Sequence, residues 1–327
     1  MAVGKLYHGG DAASTFDEYG GRFEWFGPKP EKRFKFDPDW YDHKIGSTQT
    51  DWGAYPDNDE EMSDYKVANW AAEKLGQSHA KPFFLAVGIL KPHLPFICPP
   101  EFFDLYPEEV APPNILADDL ADIPEVGQAM AKISDDKRFT ADEAWTRVRR
   151  AYLACNSWAD YNIGRVLDAL AASPYVDNTI IVLWSDHGYG MGEKRHFRKF
   201  ALWEETTRVP FILYDPRQQN APMGRTVDDG VSLINIYPTL VDLAGFERPD
   251  GIDGFRLAPQ SEDPVFPNPQ ALAPMEPQAA DSLSISTEPA QPPQPAAEPR
   301  QSAVEAPPAA EPQTGQAIAQ EGRAAAP

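Results

Sequence analysis

Residues 179–184 read TIIVLW, a short β-branched run with no polar alternation, and SDHGYGMGEKRHFRKF follows it at once. Such a run is expected to form a strand buried on both faces of a sheet. The residues after it then leave the carboxyl end of a central strand, where open α/β sheets place their chemistry. Asp186 and His187 stand first in that loop, a carboxylate beside an imidazole that can ligate a cation. Lys194, Arg195, His196, Arg198 and Lys199 follow and bring positive charge for an anionic group.

The rest of the chain supplies helices to cover such a sheet. Ser63 reads as the N-cap of a helix running through Trp70 and Leu75 to Gly76. Residues 82–90 read as a buried strand, and 209–214 as another. Residues 142–172 form a long helix in which Trp145, Val148, Tyr152, Cys155, Ala159, Ile163, Val166 and Leu170 recur at steps of three and four. A further helix spans 234–244. Helices alternating with apolar strands predict an α/β fold with a mostly parallel mixed sheet sandwiched by helices. Residues 20–55 are aromatic and turn-rich, without a clear period, and read as loop.

Composition changes near residue 258. From 259 to 327 the chain is dominated by proline, alanine, glutamine and glutamate, and Phe266 is its one aromatic residue. That stretch cannot bury enough apolar surface to offset chain entropy, so 1–258 is read as the folded domain and 259–327 as a disordered acidic tail.

The whole chain carries 29 basic against 50 acidic residues, a net charge of −21. This argues against nucleic acid or an anionic membrane as a general partner. It leaves room for a small anionic substrate, since a local basic pocket outweighs distant charge beyond a Debye length. Cys98 and Cys155 are too few for a disulfide framework. No run is long enough to span a membrane. The first ten residues hold no apolar run of signal-peptide type, so no secretion signal is expected there, and the compartment stays open.

Five stretches, taken in order, resemble the sulfatases of the alkaline-phosphatase-like superfamily, and within them the branch that contains iduronate sulfatase and choline sulfatase. They are GKLYHGG at 4–10, KPFFLAVGILKPHLPFICPPEFFDLYP at 81–107, AYLACNSWADYNIGRVLDAL at 151–170, the SDHG run at 185–188 with its basic continuation, and VSLINIYPTLVDLAGF at 231–246 followed by IDG at 252–254. The resemblance runs from about residue 4 to residue 257. It implies hydrolysis of sulfate esters on a sugar or small alcohol, by a formylglycine nucleophile assisted by a divalent cation, usually calcium. It also implies roles by position. Asp186 and His187 match half of the metal site, with His rather than Asn at 187 favouring the iduronate branch. Lys199 matches the sulfate-binding lysine, and His93 a histidine facing the sulfate or the leaving oxygen. Lys5 and His8 match the pair that positions the formylglycine and takes its proton. These six residues are expected to converge on one cleft at the carboxyl edge of the sheet.

The chain also departs from the family pattern. A Cys/Ser-x-Pro-x-Arg motif, the source of formylglycine, occurs nowhere in it; Cys98 sits in CPPEF, without the arginine. The doublets Asp118–Asp119 and Asp228–Asp229 fall where the family has surface loops, so they do not replace the missing carboxylate ligands. The expectation is an N-terminally incomplete catalytic domain with little or no turnover alone. Two other readings stay open: a phosphatase or phosphodiesterase of the same superfamily, and a non-catalytic chain that binds anions or a partner.

Overall fold

The computed structural model describes residues 1–8, 12–23, 27, 28, 30, 51–130, 144–218, 224, 226–228 and 230–257. The 259–327 tail and most of residues 20–55 lie outside the described residues; the end of the latter stretch, read as loop, is in fact a strand at Trp52–Ala54. Two compact units divide the chain, one from Met1 to Asp229 and the other beginning at Gly230.

In the first unit, strand β1 (Ala2–Gly4) pairs in parallel with β3 (Ala86–Gly88), and β2 (Trp52–Ala54) pairs in parallel with β4 (Phe96–Cys98). Between them in sequence lies helix α1 (Ser63–Leu75), and after β4 comes the short helix α2 (Pro100–Phe103). The 28-residue helix α3 (Ala144–Ala171) leads to β5 (Ile181–Trp184), the hairpin of β6 (Gly190–Met191) with β7 (Phe197–Arg198), and β8 (Phe211–Tyr214). The fold is α/β, with parallel ladders covered by helices.

The core follows the seam of α3. Val148, Ala151, Cys155 and Trp158 step by three and four, are fully buried, and meet Phe96 and Cys98 of β4 and Phe102 and Phe103 of α2. Phe102 packs edge-on against Trp158, with ring centroids 5.1 Å apart. Each large apolar side chain buried here contributes on the order of 1.5–3 kcal/mol. A second cluster, Val3 with Val67 and Ala71, packs α1 onto β1. The apolar periodicity of the long helix thus locates it correctly, but Trp158 rather than Tyr152 or Ile163 lies deepest. Asn162 joins the buried seam because its amide is satisfied, donating to Trp158 O at 2.8 Å and accepting from Arg165 at 3.2 Å.

Two local expectations are corrected. Ser63 is the first residue of α1, not its cap; Met62 occupies the cap position without a side-chain bond. The nearby capping side chain is Asn58, which accepts from Glu60 N–H at 3.1 Å and starts the turn at Asp59–Glu61. Strand β5 is not buried on both faces. Among the described residues it pairs only with β8, in antiparallel register from Ile181 opposite Tyr214 to Trp184 opposite Phe211. Trp184 and Ile212 are therefore exposed, at 47% and 55%. A run without polar alternation cannot by itself show how many neighbours a strand has.

The described part of the second unit, 230–257, is organised by helix α4 (Ile236–Leu243). Asn235 Oδ1 accepts from Phe255 N–H at 3.0 Å and Thr239 Oγ1 from Leu257 N–H at 2.8 Å, so the returning segment is tied to the start of the helix.

Candidate anion-binding site

Lys5 leaves the carboxyl end of β1 at a point where two backbones nearly touch. A side chain on Gly4 would lie 2.1 Å from Gly88 O, and one on Gly88 would lie 2.0 Å from Lys5 O. Only glycine at both positions permits that approach. Lys5 N–H then donates to Gly88 O at 2.9 Å, and its ammonium projects to the loop after β5. There Lys5 Nζ meets Asp186 Oδ2 at 3.0 Å.

The loop is set by its own bonds. Ser185 Oγ donates to His187 O at 2.8 Å, and Gly188 N–H donates to Thr206 O at 2.9 Å. A Cβ at Gly188 would strike Glu205 O at 2.1 Å, so this position too admits only glycine. His187 lies with Nε2 3.6 Å from Asp186 Oδ2 and 2.9 Å from Lys199 Nζ. Its Nδ1 is 2.8 Å from Gly188 O.

Lys199 follows the β6–β7 hairpin, which is fastened to α3. Trp145 Nε1 donates to Met191 O at 2.6 Å, and Glu193 accepts both Met191 N–H at 2.7 Å and Arg149 at 3.3 Å. Lys194, Arg195 and Arg198 hold positive φ within it, a costly conformation that surrounding contacts must maintain.

His93 lies on the loop between β3 and β4, its Nδ1 donating to Leu94 O at 2.7 Å. Desolvation, and then the ammonium charges of Lys5, Lys199 and Lys91, push the imidazole down to about 4, against the raising effect of the Leu94 bond. The ring is thus uncharged at neutral pH. Desolvation and the Lys5 charge also lower the Lys199 ammonium, with Asp186 opposing. Burial alone would raise the Asp186 carboxyl, but the Lys5 hydrogen bond and charge, with His187 and Lys199, hold it below the ordinary carboxylate value.

Five of the six residues singled out in the sequence therefore gather: Lys5, His93, Asp186, His187 and Lys199. His8 does not join them. It sits exposed on the bend after Lys5, and among the described residues no hydrogen bond or ion pair ties it to the others. The basic run after Gly192 divides. Lys199 faces the site, whereas Lys194 is paired with Asp119 at 2.7 Å and His196 is fully buried in the domain interior. Sequence reading also passed over Lys91 and Asp64, both buried and bonded to the loop that carries His93. The signal was present as a lysine inside the apolar run GILKPHLPF, which an ordinary surface lysine would not occupy.

The arrangement gathers two ammonium groups and a neutral imidazole around one carboxylate, a local positive excess on an acidic chain. It suits a tetrahedral oxyanion. It does not by itself suit calcium, which takes six to eight oxygens. Asp186 already accepts from Lys5 and His187 from Lys199, and among the described residues no three His, Cys, Asp or Glu side chains gather.

The Sulfatase family model matches residues 13–246. A sulfatase of Formosa agariphila is 46% identical over 258 residues, 76% of this chain and 50% of that protein. Iduronate 2-sulfatase of Homo sapiens is 30% identical, covering 83% of this chain and 60% of the enzyme. The chain thus spans about half the length of the curated relatives it matches. Among solved structures, the phosphonate monoester hydrolase of Agrobacterium radiobacter superposes with a TM-score of 0.57 at 25% identity, over 67% of this chain and 47% of that one.

Proposed function

The chain belongs to the sulfatase family, and from that premise we propose that Lys5 and Lys199 hold the sulfate group of a sulfate ester carried by a sugar or small alcohol, with His93 facing the sulfate or its leaving oxygen. The observation that carries the reading is the convergence of both ammonium groups on the Asp186–His187 pair, with His93 within their field. A sulfate oxyanion would take hydrogen bonds from Lys5 and Lys199, each stronger for being charge-assisted. The neutral His93 ring, its one proton on Nδ1 and given to Leu94 O, would leave Nε2 as an acceptor facing the ester rather than as a donor to the anion. Lys199, its ammonium weakened by desolvation, would give up its contact with His187 for the anion at small cost.

Sulfatases generally use a divalent metal ion and a formylglycine. By the resemblance, Asp186 and His187 would supply part of the family's metal site, but among the described residues they do not complete a cation site, and no step is assigned to one. The 327 residues contain no Cys/Ser-x-Pro-x-Arg motif, so the reading for this chain is anion recognition without turnover by itself.

Titration of the purified chain with sodium sulfate, followed by calorimetry, tests the reading. One saturable site is expected, lost in the Lys5→Ala/Lys199→Ala double variant, with no release of nitrophenol from 4-nitrophenyl sulfate. A chain that binds no sulfate, or a double variant that binds it as well as the wild type, would overturn it. The structural likeness to a phosphonate monoester hydrolase favours a second reading, a phosphorus oxyacid monoester such as a phosphonate monoester in place of the sulfate ester. Phosphate binding tighter than sulfate at equal charge would select it.

A further inference from the structure

Lys91 is 4% exposed and Asp64 1% exposed, yet neither is among the groups just assigned to the anion. Asp64 stands in the first turn of α1 and reaches across to the chain leaving β3. Its two carboxylate oxygens accept the backbone N–H groups of Leu90 at 2.8 Å and of Lys91 at 3.0 Å. The Lys91 ammonium then turns along its own loop and donates to His93 O at 3.3 Å and to Pro95 O. The carboxylate thus fixes the entry of the loop and the ammonium ties its far side, with His93 between them.

The sequence explains why the loop needs such help. In KPHLP both prolines lack an N–H, so the segment is short of donors for its own carbonyls. An ammonium carries three donors and no acceptor, which suits two carbonyls facing one point. Stability alone does not account for the choice, because a buried ionic group is often no better than an apolar one of similar volume. An ionic clamp does fix one geometry, and the side chain inside this one is His93.

We propose that the Asp64–Lys91 pair is a positioning device for His93, holding its backbone and ring at the place where they meet Lys5 and Lys199. The inference rests on the reading of His93 as a sulfate-facing group. Lys91 is a positioning residue, since it is buried and its ammonium is spent on the loop carbonyls of His93 and Pro95. Its charge is also one of the three, with Lys5 and Lys199, that act on the His93 ring.

The test uses the 327-residue chain, labelled with nitrogen-15, as wild type, Lys91→Met and Asp64→Asn. Three quantities are read: the His93 ring titration by NMR between pH 3 and 8, the melting curve by circular dichroism, and the affinity for inorganic sulfate. In a folded Lys91→Met protein the His93 midpoint should rise from about 4 toward its ordinary value. Sulfate affinity should fall about tenfold, the usual scale when a partner orienting a binding group is removed. Asp64→Asn keeps the volume and one acceptor and should move both readouts the same way by less. If Lys91→Met does not fold, Asp64→Asn decides by the same two readouts. A folded variant whose His93 midpoint and sulfate affinity both match the wild type would overturn the proposal, leaving Lys91 a filler of the interior. Should the wild type bind no sulfate, the functional reading fails on its own, and the His93 midpoint in the variants still decides the positioning role.

Discussion

Lys199 Nζ lies 2.9 Å from His187 Nε2, and His187 Nδ1 lies 2.8 Å from Gly188 O. An ammonium only donates and a carbonyl only accepts, so the two contacts assign the imidazole proton to Nδ1 and its lone pair to Nε2. That lone pair is the one a metal ion would need. Beside it, Asp186 Oδ2 is taken by Lys5. The pair is therefore arranged as an acceptor for two cations of the protein itself.

A dication entering here would displace two ammonium groups and find one carboxylate and one imidazole. Calcium prefers six to eight oxygens, so its affinity should be weak. A ligand raises the melting temperature only when its concentration exceeds its dissociation constant. Millimolar calcium should leave the melting curve of this chain unmoved, as read by scanning fluorimetry. A shift that saturates at micromolar calcium would show that the donor set has been misread.

The depressed His93 basicity has a sign that can be checked in stability. Its folded value is about 4, below the ordinary histidine value near 6.5. Between those two pH values the unfolded chain binds the extra proton, so stability rises with pH through the window. The His93 contribution is fully present above about pH 6.5 and is lost as pH falls toward 4. The slope cannot exceed about 1.4 kcal/mol per pH unit for one proton, and partial exposure reduces it. Urea unfolding of His93→Gln at pH 4.5 and pH 7 should show a smaller difference between the two than the wild type shows. An equal difference would place the pH sensitivity elsewhere.

How much of this was legible beforehand depends on the range of the signal. Asp186, His187 and His93 each follow an apolar run that forms a strand or its end, and Lys199 closes the basic run behind Asp186 and His187, local patterns that the order of motifs makes readable. The family was legible for the same reason. The partners of β5 were not, because edge or centre depends on chain far away in sequence. His196 reads as charge in a basic run, yet it is fully buried immediately before β7, beside the buried Phe197. Lys91 and Asp64 are 27 residues apart and become partners only when α1 lies against β3. No period or spacing in either segment announces that contact.

The hairpin that delivers Lys199 depends on Glu193. Its carboxylate is about one-quarter exposed and accepts from Met191 N–H and from Arg149. Glu193→Ala leaves Met191 N–H without its acceptor and Arg149 with only its 3.5 Å bond to Met191 O, and should lower unfolding free energy by about 1–3 kcal/mol. It should also weaken sulfate binding, since Lys199 loses its anchor. Glu204→Ala removes only an exposed i,i+4 pair with Arg208 and should change stability by about 0.5 kcal/mol or less. Chemical denaturation of the two variants side by side makes the comparison. Equal losses would mean that the hairpin is held by its backbone alone.

The Lys5–Asp186 pair separates binding from folding. Asp186 is 58% exposed and Lys5 15% exposed, so the ion pair sits at the solvent boundary, where such pairs contribute little to stability. Lys5→Ala and Asp186→Asn should therefore melt close to the wild type. Their effects on sulfate should have opposite signs. Lys5→Ala removes one of the two ammonium groups that would meet the anion, and affinity should fall. Asp186→Asn removes the carboxylate that occupies Lys5 and repels an incoming sulfate, and affinity should rise. At an effective dielectric constant suited to the protein surface, one unit charge about 4 Å away is worth on the order of 4 kcal/mol before screening, so a severalfold change in either direction is measurable after it. Calorimetric titration with sulfate at pH 7 in low salt reads both. If Asp186→Asn weakens binding, the carboxylate takes part in holding the anion, and the picture of two ammonium groups shared between an acid and a sulfate is wrong.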